Sequence, residues 1–206
     1  MATLTRSYTE ELAGKSRVSY EEFLDLTDSL HVEWVDGEIV ELMTVAYPHT
    51  ELGLFVLSTF NAFMGIHPIG RVLYEPFQLK PAPHLPGRSP DAMILLNEHL
   101  DRLMVNHIRG AADLAVEILS PGSEATDRRR KFAEYADGGI PEYWLLDPVR
   151  QRAEFYQLDA RGEYRLVAPD GAGIYRSAAI PGLWLPVDWL WTRPPIQVVF
   201  AAWQQA

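Results

Sequence analysis

The chain has 206 residues, 48% of them hydrophobic, and a formal net charge of −10, which fits one domain with a sizeable buried core. It contains no cysteine, so disulfides, thiolate metal sites and thiol nucleophiles are excluded, and any metal must be held by oxygen or imidazole. The acidic balance argues against a general nucleic-acid coat, so a polyanionic substrate would need a local positive region.

Charge is spread unevenly. Residues 1–66 carry three basic side chains (Arg6, Lys15, Arg17) against eleven acidic ones, while the remainder carries fifteen against seventeen. The basic cluster Arg128-Arg129-Arg130-Lys131 lies in that second part. Met1 to Arg6 lacks a basic-then-apolar leader, and no apolar run approaches the roughly 18 residues of a membrane span. With the missing thiols, this leads us to expect a soluble, cytoplasmic protein with no membrane partner.

In chain order, Tyr20 to Leu26 has the spacing of a short amphipathic helix that Ser19 or Thr27 could cap, and it is expected to lie as a lid on the core. His31–Val35 and Glu38–Met43 flank Asp36-Gly37, the turn pair of a two-residue β-hairpin. From Thr50 to about Gly65, Leu52, Phe55, Val56, Thr59, Phe60 and Phe63 recur at helical spacing. Arg71 to Lys80 reads as one strand ended by Pro81-Ala82-Pro83, and Ala92–Leu96 as a buried strand, giving two central strands. Asp113–Leu119 is a further strand, Ser123–Asp137 a helix stopped by Gly138-Gly139, and Glu142–Leu146 another strand, together a βαβ-like unit. Beyond Pro148, Arg152–Leu158 and Glu163–Val167 flank a turn and read as a hairpin. The Trp- and Pro-rich end, with Leu183, Trp184, Leu185, Trp189, Leu190 and Trp191, either covers the core or forms a partner surface.

The chemistry centres on two carboxylates. Asp91 follows Pro90 at the head of one apolar run, a position that a strand-initiating turn would also explain. Glu117 lies inside another run, among Leu114, Val116, Ile118 and Leu119, where an ionised carboxylate is costly unless it is paired with an arginine or bound to metal. Two such carboxylates on neighbouring strands, helped by a backbone carbonyl, suit Mg²⁺ or Mn²⁺. A metal of that kind activates water and offsets charge on a phosphate, so the pair points to phosphodiester hydrolysis.

Lys131 would position the water or stabilise the developing charge, or it could simply pair with Asp127 at i−4 on a solvated helix face. From Glu117 to the strand end at Ser120 is roughly 10 Å at a strand's rise. From Glu124 to Lys131 is also roughly 10 Å at a helix's rise. A helix that doubles back along the strand therefore returns Lys131 to the level of Glu117, with Asp127 and Tyr135 on the same face.

Pro90-Asp91, Val116-Glu117-Ile118-Leu119-Ser120-Pro121, Lys131 with Tyr135 four residues on, and Gly139-Ile140-Pro141-Glu142-Tyr143-Trp144-Leu145-Leu146-Asp147-Pro148 resemble the restriction endonuclease family called Uma-two, within the PD-(D/E)xK nuclease superfamily. Tyr20-Glu21-Glu22-Phe23, Glu33–Glu38 and His49 extend the likeness over about residues 19–168. The resemblance implies an α/β fold of restriction endonuclease type: a mixed central sheet flanked by helices, with an additional N-terminal hairpin. It implies metal binding by Asp91 and Glu117 with the carbonyl of Ile118, an additional acid at Glu33, and His49 beside the site. Leu119 stands where the superfamily places its lysine; in this family's pattern the lysine looks displaced onto the following helix, which matches Lys131. Glu33 could instead face solvent on its hairpin, and His49 could be an ordinary residue of a helix start.

The resulting expectation is one domain over 1–206, with a Trp/Pro-rich extension at 169–206, acting as a Mg²⁺- or Mn²⁺-dependent DNA endonuclease. Arg128, Arg129 and Arg130 would hold the backbone, or form no more than a solvated helix face, and a homodimer would pair two sites for paired cuts. The alternatives are an inactive nuclease-fold module binding nucleic acid or protein, and a hydrolase of smaller phosphoesters.

Overall fold

A computed structural model describes residues 17–26, 31–42, 46–120 and 122–205. Thr27, Met43, Pro121 and the Met1–Arg6 segment lie outside the described residues. Ser19 caps helix α1 (Tyr20–Leu26) through a reciprocal pair: the Glu22 N–H donates to Ser19 Oγ at 3.1 Å and the Ser19 N–H to Glu22 Oε2 at 2.9 Å. The helix does not cover the main core. Tyr20 and Phe23 pack with Val18 and Val32 as a separate cluster under the hairpin.

That hairpin is β1 (Val32–Val35) and β2 (Glu38–Glu41), paired antiparallel with Val35 opposite Glu38. Asp36 and Gly37 both take positive φ, 52° and 91°, as the tight primed turn between right-twisted strands requires. Helix α2 (Tyr47–Ile66) follows, burying His49, Leu52, Phe55, Val56, Thr59, Phe60 and Phe63 on one face.

The Arg71–Lys80 segment is not one strand. Gly70–Leu73 forms β3, antiparallel to β5 (Ala92–Leu96), and Gln78–Lys80 forms β4, which leaves the sheet to pair in parallel with β6 (His107–Arg109). Between them Phe77 N–H closes a turn onto Tyr74 O around Pro76, a residue with no N–H to give a ladder. Only β5 is therefore central, since β3 is the edge of its sheet.

The main sheet has six strands in the order β10-β9-β8-β7-β5-β3. Here β7 is Leu114–Ile118, β8 is Glu142–Asp147, β9 is Arg152–Leu158 and β10 is Tyr164–Val167. Only β7 and β8 run parallel, joined through a π-helical stretch (Thr126–Lys131) that continues as α3 (Phe132–Asp137). This is the βαβ unit read from the sequence. The sheet is thus mixed and flanked by helices on both faces, an α/β architecture.

Side chains alternate along the buried strands and divide the core in two. Ala92, Ile94, Leu114, Val116, Trp144 and Leu146 face α2 and the C-terminal elements. Met93, Leu95, Ala115, Leu119, Tyr143 and Leu145 face Tyr135 of α3. Alternation therefore puts Glu117 on the α3 side. After β10, the chain forms β11 (Ile174–Arg176) paired with β12 (Trp184–Pro186), then the short helices α4 (Trp189–Thr192) and α5 (Ile196–Gln204). Leu183, Leu185, Leu190, Val199 and Trp203 are buried in the first cluster, so this apolar end covers the core. Among the described residues, no helix is long and apolar enough to cross a membrane.

Candidate active site

A cleft of about 370 Å³ opens between the hairpin, the start of α2, the ends of β5 and β7, and the π-helical stretch. Glu33, His49, Asp91, Glu117, Ile118, Arg130 and Lys131 all line it. Extending the β5–β7 register one step beyond the Ala92–Val116 pair sets Asp91 beside Glu117. Neighbours across a ladder share a face. Asp91 Oδ2 accepts the Ile118 N–H at 2.6 Å, and its Oδ1 lies 3.1 Å from His49 Nε2.

Glu117 is almost fully buried, and each of its oxygens has a partner. Lys131 Nζ donates to Oε2 at 2.9 Å and the Tyr135 hydroxyl to Oε1 at 2.8 Å. Lys131 is also 3.3 Å from Glu33 and 3.2 Å from Asp127, so the Asp127 contact exists inside the protein rather than on a solvated face. Glu33 does not face solvent. It accepts from Arg88 at 2.9 Å and from the Ser89 N–H at 3.2 Å, while Arg88 also grips both oxygens of Glu134.

The electrostatics follow from one ammonium among several acids. Burial alone would push Lys131 down, yet Glu117, Glu33 and Asp127 together hold it well above the ordinary lysine value, so it remains an ammonium. Burial pushes Glu33 up, but Lys131, Arg88 and the Ser89 N–H outweigh it and leave the carboxyl below its usual range. Glu117 goes the other way: burial, reinforced by Asp127, Asp91 and Glu33, exceeds the pull of Lys131 and holds it well above a normal glutamate. Burial likewise raises Asp127. Burial opposes the charged form of His49, but its hydrogen bond and charge contact with Asp91, with Glu75 and the Ile118 backbone, raise it above the usual histidine value.

Leu119, two residues after Glu117, is buried in the cluster with Ala115 and Tyr135. The three arginines divide. Arg128 is committed to Glu124 and Glu154, Arg129 is exposed away from the cleft lining, and Arg130 is exposed on the cleft wall. Sequence reasoning missed Arg88, whose only local signal is a basic residue just ahead of Ser89-Pro90-Asp91; its partners Glu33 and Glu134 lie 55 and 46 residues away.

Residues 20–188 match the model of the Uma2 family, described as "Putative restriction endonuclease". A crystal structure of a putative nuclease from Anabaena variabilis superposes with a TM-score of 0.69 at 20% identity, over 85% of this chain and 98% of that one. Among curated proteins, none matches the chain.

Proposed function

The chain belongs to the Uma2 family, and we propose that it is a metal-dependent DNA endonuclease that hydrolyses phosphodiester bonds. The observation that carries the reading is the pairing of Asp91 and Glu117 across β5 and β7 with an ammonium, Lys131, 2.9 Å from Glu117.

Among the described residues, no group of three or more His, Asp or Glu side chains is placed to hold an ion, and Lys131, Tyr135, His49 and the Ile118 N–H engage the two carboxylates. The chemistry of the donors nonetheless fits Mg²⁺ or Mn²⁺. They are hard oxygens, and buried Ser89 on the cleft wall carries a side-chain oxygen without a hydrogen-bond partner. Asp91, Glu117 and the Ile118 carbonyl would hold the ion. When bound, it supplies a lowered water pKa and charge stabilisation at phosphorus.

The remaining work belongs to the chain itself. Lys131, held as an ammonium, serves as a donor rather than a base, orienting the attacking water and balancing charge on the phosphate. Tyr135 fixes the rotamer of Glu117, Arg88 fixes Glu33, and His49 holds Asp91. Arg130 offers its guanidinium to a backbone phosphate, with Arg129 as a neighbouring charge.

The test is incubation of plasmid and single-stranded DNA with Mg²⁺ or Mn²⁺; activity unchanged in Asp91→Ala and Glu117→Ala would sink the reading. The full engagement of Glu117 by Lys131 and Tyr135, with leucine at position 119, favours one rival, a catalytically inactive module. Calorimetric titration separates the two, since such a module shows no millimolar-or-tighter Mn²⁺ binding that Asp91→Asn abolishes.

A further inference from the structure

The outer side of helix α2 carries almost no charge, although the chain does. Charged residues make up 22% of the sequence and the net charge is −10, yet the 20 residues of α2 hold one carboxylate, Glu51, and no lysine or arginine, and the nine of α5 hold no charged residue. Glu51 is itself balanced. It accepts the Tyr47 hydroxyl at 2.9 Å and lies 3.0 Å from Arg193.

The two helices lie side by side in the same direction. Arg193, just ahead of α5, meets Glu51 near the start of α2, and Trp203 near the end of α5 meets Phe63 near the end of α2, edge to face with ring centroids 5.3 Å apart. Both turn their buried residues to the core. Of the nine large hydrophobic side chains exposed among the described residues, four stand on this one pair of helices: Tyr47 (74%), Leu54 (65%), Val198 (51%) and Phe200 (36%). Aromatic and aliphatic groups without charge around them are the composition of an interface centre, and a patch of this kind marks a contact surface.

The pattern of the stripe selects the partner. Tyr47, Glu51, Leu54, Ser58, Asn61 and Gly65 form the outer side of α2, none of them buried, and they follow one another in steps of four and three, the seam along which two helices pack. Reversed, the stripe complements itself. A second α2 laid antiparallel across a two-fold axis between Leu54 and Ser58 sets Tyr47 against Gly65, Leu54 against Ser58, and Glu51 against the neutral Asn61. Large groups meet small ones, and a Cβ placed on Gly65 has no neighbour within 4 Å, so the space for the Tyr47 ring is open. Charge selects the same partner: chains at −10 repel one another, and on this face two copies approach without opposing like charges.

We propose that the chain forms a two-fold dimer through the outer stripe of α2, with Val198 and Phe200 of α5 at the flank. None of these residues lines the cleft, so both clefts stay open whatever reaction they carry out. Sedimentation velocity of the full chain over a micromolar concentration series should show a monomer–dimer equilibrium. Leu54→Glu should raise the dissociation constant at least about ten-fold, by placing a carboxylate beside the axis of the contact. Gly65→Leu should do the same by filling the place of the Tyr47 ring, while its thermal midpoint holds or rises, because leucine exceeds glycine in helix propensity. Val105→Glu, at an exposed valine off this face, should leave the dimer unchanged. Added salt should tighten the dimer as it screens the mutual repulsion.

A chain that stays monomeric across the series overturns the proposal, and so does a dimer that survives both Leu54→Glu and Gly65→Leu or that dissociates as salt rises. Loss of the dimer in the two stripe variants, each folded by circular dichroism, with Val105→Glu still dimeric, supports it.

Discussion

Lys131 Nζ lies 2.9 Å from Glu117 Oε2 although the two residues are fourteen apart in the chain and on different elements. Glu117 is the last residue but one of β7, and the π-helical stretch Thr126–Lys131 doubles back so that its last residue sets the amine at the carboxylate. The same ammonium touches Glu33 and Asp127, so three buried acids share one ammonium, and of these Glu33 has a second cation in Arg88.

Lys131→Met therefore removes the charge that all three share. Breaking a buried pair from one side costs about 3–5 kcal/mol, and loss of an electrostatic donor in a hydrolytic site costs about 10²- to 10³-fold in kcat. Urea denaturation and single-turnover cleavage measure the two effects. The stability deficit should shrink toward acid pH, where the abandoned carboxyls take up protons. A stable, fully active Lys131→Met protein would show that the amine is a bystander.

Moving the amine tests whether its origin matters. Leu119 is two residues beyond Glu117, and side chains two apart on an extended strand share a face. Leu119→Lys alone should destabilise, because it places a second amine in an apolar cluster. Combined with Lys131→Met, it should recover at least about ten-fold of the lost kcat. No recovery, in a double variant with the single variants' fold, would mean that the helix supplies more than charge.

Stability should depend on pH through Glu117. Its carboxyl is held above the ordinary range chiefly by burial, so its contribution is present at low pH and lost as pH rises through the folded value. Glu117→Gln removes that loss. The variant's urea midpoint should gain on the wild type between pH 5 and pH 8, even though its activity is gone. Glu33 behaves oppositely: its lowered value gives stability above the ordinary glutamate range that is lost as pH falls. A Glu117→Gln gain that is flat with pH would contradict the upward shift of Glu117.

A second carboxylate, Glu142, is fully buried at the start of β8 and holds the C-terminal elements to the sheet. It accepts from Trp144 Nε1, Tyr175 OH, Ser177 Oγ and the N–H groups of Ala178 and Ala179. Glu142→Ala strands these donors, each at about 1–3 kcal/mol, so the variant should lose at least about 3 kcal/mol. Limited proteolysis should then cut first near residues 177–179. Wild-type stability and proteolysis in this variant would refute the tethering role.

Much of this was legible because local chemistry dictated it. Asp36-Gly37 sets its own turn, α2 carries a helical stripe, and the apolar runs of β5 and β7 are buried on both faces. The Lys131–Glu117 encounter was legible from rise per residue once the helix is taken to double back along the strand, although Thr126–Lys131 proves π-helical. What escaped depended on distant partners. Nothing near Arg88 signals that it bridges Glu33 and Glu134, and the segment after Val167 has the turn pairs Asp170-Gly171 and Pro181-Gly182 but no clear period to mark β11, β12, α4 and α5. Pro76 is the local mark of the break between β3 and β4, and reading Arg71–Lys80 as one strand ran across it.

Anomalous diffraction from crystals soaked in Mn²⁺ tests the central claim most directly. The account expects one strong peak coordinated by Asp91, Glu117 and the Ile118 carbonyl at about 2.0–2.2 Å, the range for small hard cations on oxygen, with Lys131 still beside the carboxylates. A saturating soak with no peak there, and Glu117 still bound by Lys131 and Tyr135 alone, would contradict it.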